Sequence, residues 1–196
     1  MMRLLGTCLA LVAGLTIAQA QPADREALWK EVADAEKKGL PKTAAAKLQL
    51  IYDSALQDDQ HAEAIKALAK RITHEGAVQG SKPEEKITRL QAELEKTPAE
   101  AKPLVQTILG HWYWQYFRAN RYRFLQRTAT AQPLGKDFTT WDLPRLYREI
   151  DLHFTNALAD GRLKTIPTTD FADLLTKPTL PEKYRPTLYD FIAHEA

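Results

Sequence analysis

The chain has 196 residues but a single cysteine, Cys8, and only eight glycines. Its only serines are Ser54 and Ser81. Apart from Leu4 to Ile17 (LLGTCLALVAGLTI), no stretch is apolar enough to enter a membrane. An excess of one charge is lacking too, since the formal net charge is +2. Each absence excludes something. A lone cysteine closes no disulfide within the chain. Neither serine sits in a GxSxG elbow, which disfavours a serine hydrolase. The glycines are not grouped into a phosphate-cradling loop. A chain this close to neutral generates no global field that would recruit nucleic acid or anionic lipid.

The one apolar run sits where an export signal would. Arg3 supplies the positive start, Leu4 to Ile17 the uncharged core, and Ala18-Gln19-Ala20 a small-x-small cleavage site. The run is about 14 residues, short of the roughly 20 that a spanning helix needs. A membrane anchor is therefore the weaker reading. Lipidation at Cys8 is rejected, because Leu5-Gly6-Thr7-Cys8 puts a threonine where a small Gly or Ala is wanted. Residues 1–20 are thus expected to be a signal peptide, placing the mature protein in the periplasm or outside the cell. Cleavage after Ala20 removes the only cysteine, so neither thiolate chemistry nor a cysteine metal site is expected in the rest. Residues 21–196 suit one domain with an ordinary core.

That remainder reads as helices in succession, with no β-branched runs bounded by hairpin turns. Asp24 to Lys38 places Leu28, Val32 and Ala35 on one face and stops at Gly39-Leu40-Pro41. Lys42 to Leu56 and His61 to Glu75 repeat the pattern, the latter ending at Gly76. Ser81-Lys82-Pro83-Glu84 has the form of a capping box opening a helix with Ile87, Leu90 and Leu94. Thr97-Pro98-Ala99-Glu100 has the same form, before a longer helix striped with Leu104, Ile108, Trp112, Tyr116 and Ala119. A loop over Thr128 to Thr140 precedes a helix capped by Asp142 and closed by Gly161. A short helix around Asp170 to Leu175 and a last one after Pro186, carrying Leu188, Phe191 and Ile192, complete the reading. The expected fold is all-α, built of antiparallel helix pairs in a tetratricopeptide-like or α-α superhelical array. The final helix has no capping glycine or polar tail before Ala196, so the chain is expected to be the N-terminal part of a longer one.

Gly110 to Thr130 (GHWYWQYFRANRYRFLQRTAT) is the most distinctive stretch. Aromatics interleaved with arginines can build a core, an interface hot spot or a base-stacking groove. Export and near-zero charge remove nucleic acid. Aromatics at 112, 113, 114, 116 and 117 surround the helix, so one face suffices for the core and others must meet a further element or partner. Trp112, Trp114, Arg118, Arg121, Arg123 and Trp141 are the candidate interface residues. His61, His74, His111, His153 and His194 show no HExxH or HxH spacing, so no metal site is expected. No cofactor is expected either. A catalytic site would require at least two of His111, His153 and nearby carboxylates to meet in one cleft.

Three stretches carry a family resemblance. They are Gly39-Leu40-Pro41-Lys42-Thr43-Ala44, His111 to Phe117 with Asn120 to Thr128, and Asp137-Phe138-Thr139-Thr140-Trp141-Asp142-Leu143. Together they make the chain resemble the N-terminal helical region of bacterial alpha-2-macroglobulin-like proteins, across nearly all of the mature sequence. The family is an exported protease trap. A bait segment is cut, the molecule closes on the protease, and a cysteine–glutamine thioester in many members bonds it covalently. The resemblance implies a non-catalytic module whose partners are downstream macroglobulin domains, with proteases engaged through the full-length architecture. No functional residue of the family maps onto this chain. The alternative is a stand-alone extracytoplasmic helical-repeat adaptor for a peptide or protein. Neither reading needs nucleic acid or a membrane span.

Overall fold

The structure is a computed structural model that describes residues 24–80, 82–127, 135–175 and 181–195. The expected signal peptide, Cys8 and Ser81 lie outside the described residues, as do Thr128 to Leu134 of the expected loop. The described elements are helical: α1 (Arg25–Lys37), α2 (Pro41–Gln57), α3 (His61–Val78), α4 (Pro83–Leu94), α5 (Lys102–Ala119), α6 (Arg121–Leu125), α7 (Leu143–Leu158) and α8 (Leu188–Glu195). Among the described residues there is no strand, only an isolated bridge between Pro167 and Thr187. None of the described helices is long and apolar enough to cross a membrane.

The links α1–α2 and α2–α3 share one geometry. After α1, the Leu40 N–H bonds the Ala35 carbonyl (2.9 Å) and the Gly39 N–H bonds that of Glu36 (3.0 Å). This is a Schellman turn, and Gly39 takes the left-handed φ of +65° that it requires. After α2, Gln60 bonds Ala55 (2.8 Å) and Asp59 bonds Leu56 (3.3 Å), with Asp59 at φ +56° in glycine's place. Both three-residue links reverse the chain, so α1, α2 and α3 stack antiparallel. Leu28 and Val32 of α1, Leu48 and Ile51 of α2 and Ala67 of α3 meet in a small apolar cluster.

From α4 onward the plan changes. The helices gather around α5, which is buried on most of its circumference from Pro103 to Phe117. It packs against α3, α4, α7 and α8 in a second, larger cluster. The later links differ in length from the first two, so that repeated turn is confined to α1–α3.

Several boundaries differ from expectation. α3 runs past Gly76 to Val78. Lys82 occupies the N-cap of α4 without a side-chain bond, and Glu84 and Glu85 sit in the first turn, where the helix dipole favours them. Thr97 does not cap α5. Its hydroxyl donates back to the Glu93 carbonyl (2.8 Å), closing α4, and α5 starts at Lys102 with Pro103 in its first turn. Thr-Pro-x-Glu resembles a cap in sequence, but a threonine at a helix end can equally bond a carbonyl four residues back. The helix expected at Asp170 to Leu175 is a 3-10 turn over Thr168–Phe171, and Gly161 opens another, Gly161–Thr165, capped by Asp160. Asp142 caps α7 as expected, its Oδ1 accepting from the Arg145 N–H at 2.9 Å.

Candidate interaction surface

The aromatic-arginine stretch divides between interior and surface. Trp112 and Trp141 are interior, at 2% and 3% exposure. Trp114 is half-buried, while Arg118, Arg121 and Arg123 are exposed. The six residues therefore do not form one surface. Two tryptophans spend their area within the chain, and the outer part falls to Trp114 and the arginines.

Helical spacing explains the division. Trp114 and Arg118 stand one turn apart on α5, and after Asn120 the short α6 carries Arg121 and Tyr122 together with Leu125. Tyr122 is 77% exposed and Leu125 55%. Trp114 meets Phe117 (ring centroids 5.4 Å), and Phe117 meets Tyr147 of α7 edge-on at 5.0 Å. Tyr147 is 41% exposed and continues the apolar strip onto α7. Arg118 and Arg121 form no ion pair among the described residues. From Ala101 to Lys136 there is no aspartate or glutamate, whereas Lys102, Arg118, Arg121, Arg123, Arg127 and Lys136 are basic. Outside that stretch acids outnumber bases.

Arg123 and Arg127 are occupied on the other side of α6. Arg127 donates to the Trp141 carbonyl (2.6 Å) and the Thr139 carbonyl (2.7 Å), and Arg123 reaches Thr139 at 3.2 Å. They hold against α6 the 3-10 turn Phe138–Thr140, which Asp137 caps by accepting from the Thr139 N–H at 3.0 Å.

Beneath this corner lies a buried polar chain that the sequence reading missed. Tyr113 is fully buried, and its hydroxyl donates to Gln91 Oε1 at 2.6 Å. Its ring stacks on His153 (5.5 Å, 16°) and on Trp141 (6.2 Å, 13°). His153 Nδ1 bonds Gln106 Oε1, and its Nε2 lies 3.7 Å from Glu149 Oε1. Glu149 in turn takes the Arg145 guanidinium at 3.1 Å, and Arg145 lies over the Trp141 ring at 4.6 Å. The signal was available: 145, 149 and 153 are successive i, i+4 positions on α7.

Burial pushes His153 down from 6.5 to about 4 and raises the Tyr113 phenol. A neutral imidazole at 3.7 Å from a carboxylate is a neighbour rather than an ion pair. Gln106 offers a carbonyl oxygen, so Nδ1 carries the proton and Nε2 is left as a buried acceptor without a hydrogen bond. Glu149, Trp141 and Arg145 line a surface groove of about 620 Å³ with Gln91 and Lys136. His153 and Glu149 thus do meet, but the imidazole nitrogen is sealed from solvent.

His111 has separate surroundings. It is buried against Phe191 of α8 (5.2 Å, edge-on), with Glu195 3.8 Å away. Burial, followed by the charges of Lys86 and Arg118, pushes it to about 4. Among the described residues, no group of three His, Cys, Asp or Glu side chains could hold a metal ion.

The chain matches no protein-family model, curated protein or solved structure with which it was compared. Its fold class is all-α, and its most distinctive surface is the α5–α6 corner with Tyr147.

Proposed function

We propose that this chain is the non-catalytic N-terminal helical module of an exported alpha-2-macroglobulin-like protease inhibitor. In this reading the downstream domains carry the bait and the covalent chemistry. The α5–α6 corner is the contact through which the module meets those domains or another protein. One observation carries the proposal: Trp114, Tyr122, Leu125 and Tyr147 remain at the surface beside Arg118 and Arg121, although the same stretch supplies much of the core. Aromatics and arginines are the side chains that most often dominate binding energy when an interface buries them. The exposed end of the stretch therefore has the composition of a contact, and the resemblance supplies the context.

The test is the reading frame after Ala196 together with a deletion. Continuation into β-rich macroglobulin domains is the expected result. Removing residues 21–196 from that full-length protein should leave bait cleavage intact and change how the domains assemble. A stop codon after Ala196, with the mature chain a stable monomer that binds a peptide by itself, would overturn the proposal in favour of the stand-alone adaptor.

A further inference from the structure

We propose that the α5–α6 corner docks an acidic segment of a protein, one that carries an aromatic or aliphatic anchor between its carboxylates. This rests on the module reading and names the chemistry of its partner surface. Elsewhere, exposed Lys38, Lys42 and Arg148 likewise form no ion pair among the described residues, but several half-buried cations do. Arg25 pairs with Asp58 and Glu63, Lys70 with Glu36 and Asp173, and Arg89 with Glu75 and Glu85. Arg118 and Arg121 form no ion pair among the described residues, and they lie in a stretch, Ala101 to Lys136, that carries six basic side chains and no acid. A guanidinium presents paired donors that grip a carboxylate in bidentate fashion, and two of them flank the α5–α6 junction. Tyr122 and Leu125 on α6 and Tyr147 on α7 add exposed apolar area to the same corner.

The strip is narrow. One turn beyond Tyr147 on α7 stands Asp151, and on the far side of α6 stands Asp137, whose carboxyl is held low by its bonds to Thr139 and by Arg123 and Arg127. A flat anionic membrane would meet these carboxylates as well as the arginines. An extended or helical protein segment can lie along the strip and avoid them. Charge complementarity therefore favours a peptide-like partner over a lipid surface.

The experiment uses the whole chain and fluorescence anisotropy. The probe is a labelled twelve-residue peptide alternating glutamate and aspartate around a central Leu-Phe pair. Its control is the same peptide with Gln and Asn in place of the acids. The acidic peptide should bind, and the neutral one at least about tenfold more weakly. Arg118→Glu with Arg121→Glu should weaken acidic-peptide binding by about tenfold or more, while Lys38→Glu with Lys42→Glu leaves it unchanged. Tyr122→Ala, a smaller surface change, should weaken it about three- to fivefold. Equal loss in both charge-reversal pairs would overturn the proposal, showing non-specific attraction. Tighter binding to vesicles of anionic phospholipid, or to a second copy of the chain, would also overturn it. If the downstream domains bind the chain and the double arginine variant leaves that binding intact, the acidic-partner proposal fails and the module reading stands.

Discussion

Burial changes the acid–base chemistry of His111 and His153 strongly, within the range of ordinary pH. Each drops from 6.5 to about 4 through burial. The unfolded chain takes up protons at these positions below about pH 6.5, while the native state refuses them until about pH 4. Protons therefore favour unfolding across that window, and stability rises with pH through it. Complete development of the effect is worth at most about 3 kcal/mol per histidine, a sizeable share of a domain's total. Between pH 6.5 and 5 the carboxylates held low by partners, Glu36 and Asp173, stay ionised and do not contribute. The urea midpoint should consequently fall between pH 7.5 and pH 5. His153→Gln should lower stability at pH 7.5 and flatten the dependence to about half. A midpoint independent of pH would show that the imidazoles are not sealed.

Asp59 offers a second residue-scale prediction. It occupies a left-handed position that its counterpart, Gly39, fills without strain. Asp59→Gly should stabilise the protein by about 0.5–1 kcal/mol, read as a higher urea midpoint at unchanged slope. The opposite change, Gly39→Asp, should destabilise by a similar amount.

At the scale of elements, α5 and α7 come close together at Gly110. A Cβ at Gly110 would lie 2.5 Å from Cε1 and 2.6 Å from Cδ1 of Phe154, a ring that is fully buried. Alanine normally favours a helix interior by about 1 kcal/mol over glycine. Here the two helices or the ring must move, and overpacking costs about 1–3 kcal/mol. Gly110→Ala should therefore lower the melting temperature, whereas an equal or higher value would show that the α5–α7 interface yields freely. Nothing in the sequence distinguishes this glycine from a tolerated one, because the reason lies in a residue on another helix. Helix positions were legible, since the apolar stripes Leu28-Val32-Ala35 and Ala44-Leu48-Ile51-Ala55 are complete in one element. The equivalence of the first two turns was not, because Asp59 does glycine's work without glycine's name. The corner was half legible. Spacing could say that some aromatics must leave the core, but Trp112 and Trp141 are interior, the first meeting Lys86 and the Leu174 carbonyl, the second Phe138 and Arg145. The Tyr113–His153–Glu149 chain spans two helices, and only its α7 half has a sequence period.

Across the whole molecule, stability is unevenly placed. α5 is enclosed by four other helices, whereas α1 lies at one end and buries only Leu28, Val32 and Ala35. Much of what retains α1 is polar. Arg25 Nε meets Glu63 Oε2 at 2.9 Å, its guanidinium also reaches Asp58 and the Ser54 hydroxyl, and Trp29 Nε1 donates to Glu63 Oε1 at 2.7 Å. Such bonds are partly solvated and contribute about 1 kcal/mol each. The large cluster around α5 involves α3 but not α1, so α1 can detach and leave that core closed. Native-state hydrogen exchange should then show α1 amides opening well below the global unfolding free energy, with α5 amides near it. Arg25→Ala should speed exchange in α1 by about fivefold and leave α5 unchanged, since a loss of about 1 kcal/mol falls on the local opening alone. Equal protection of α1 and α5 would mean that the small cluster and the large one unfold together, and the Arg25 ties would then stabilise the whole chain rather than its end.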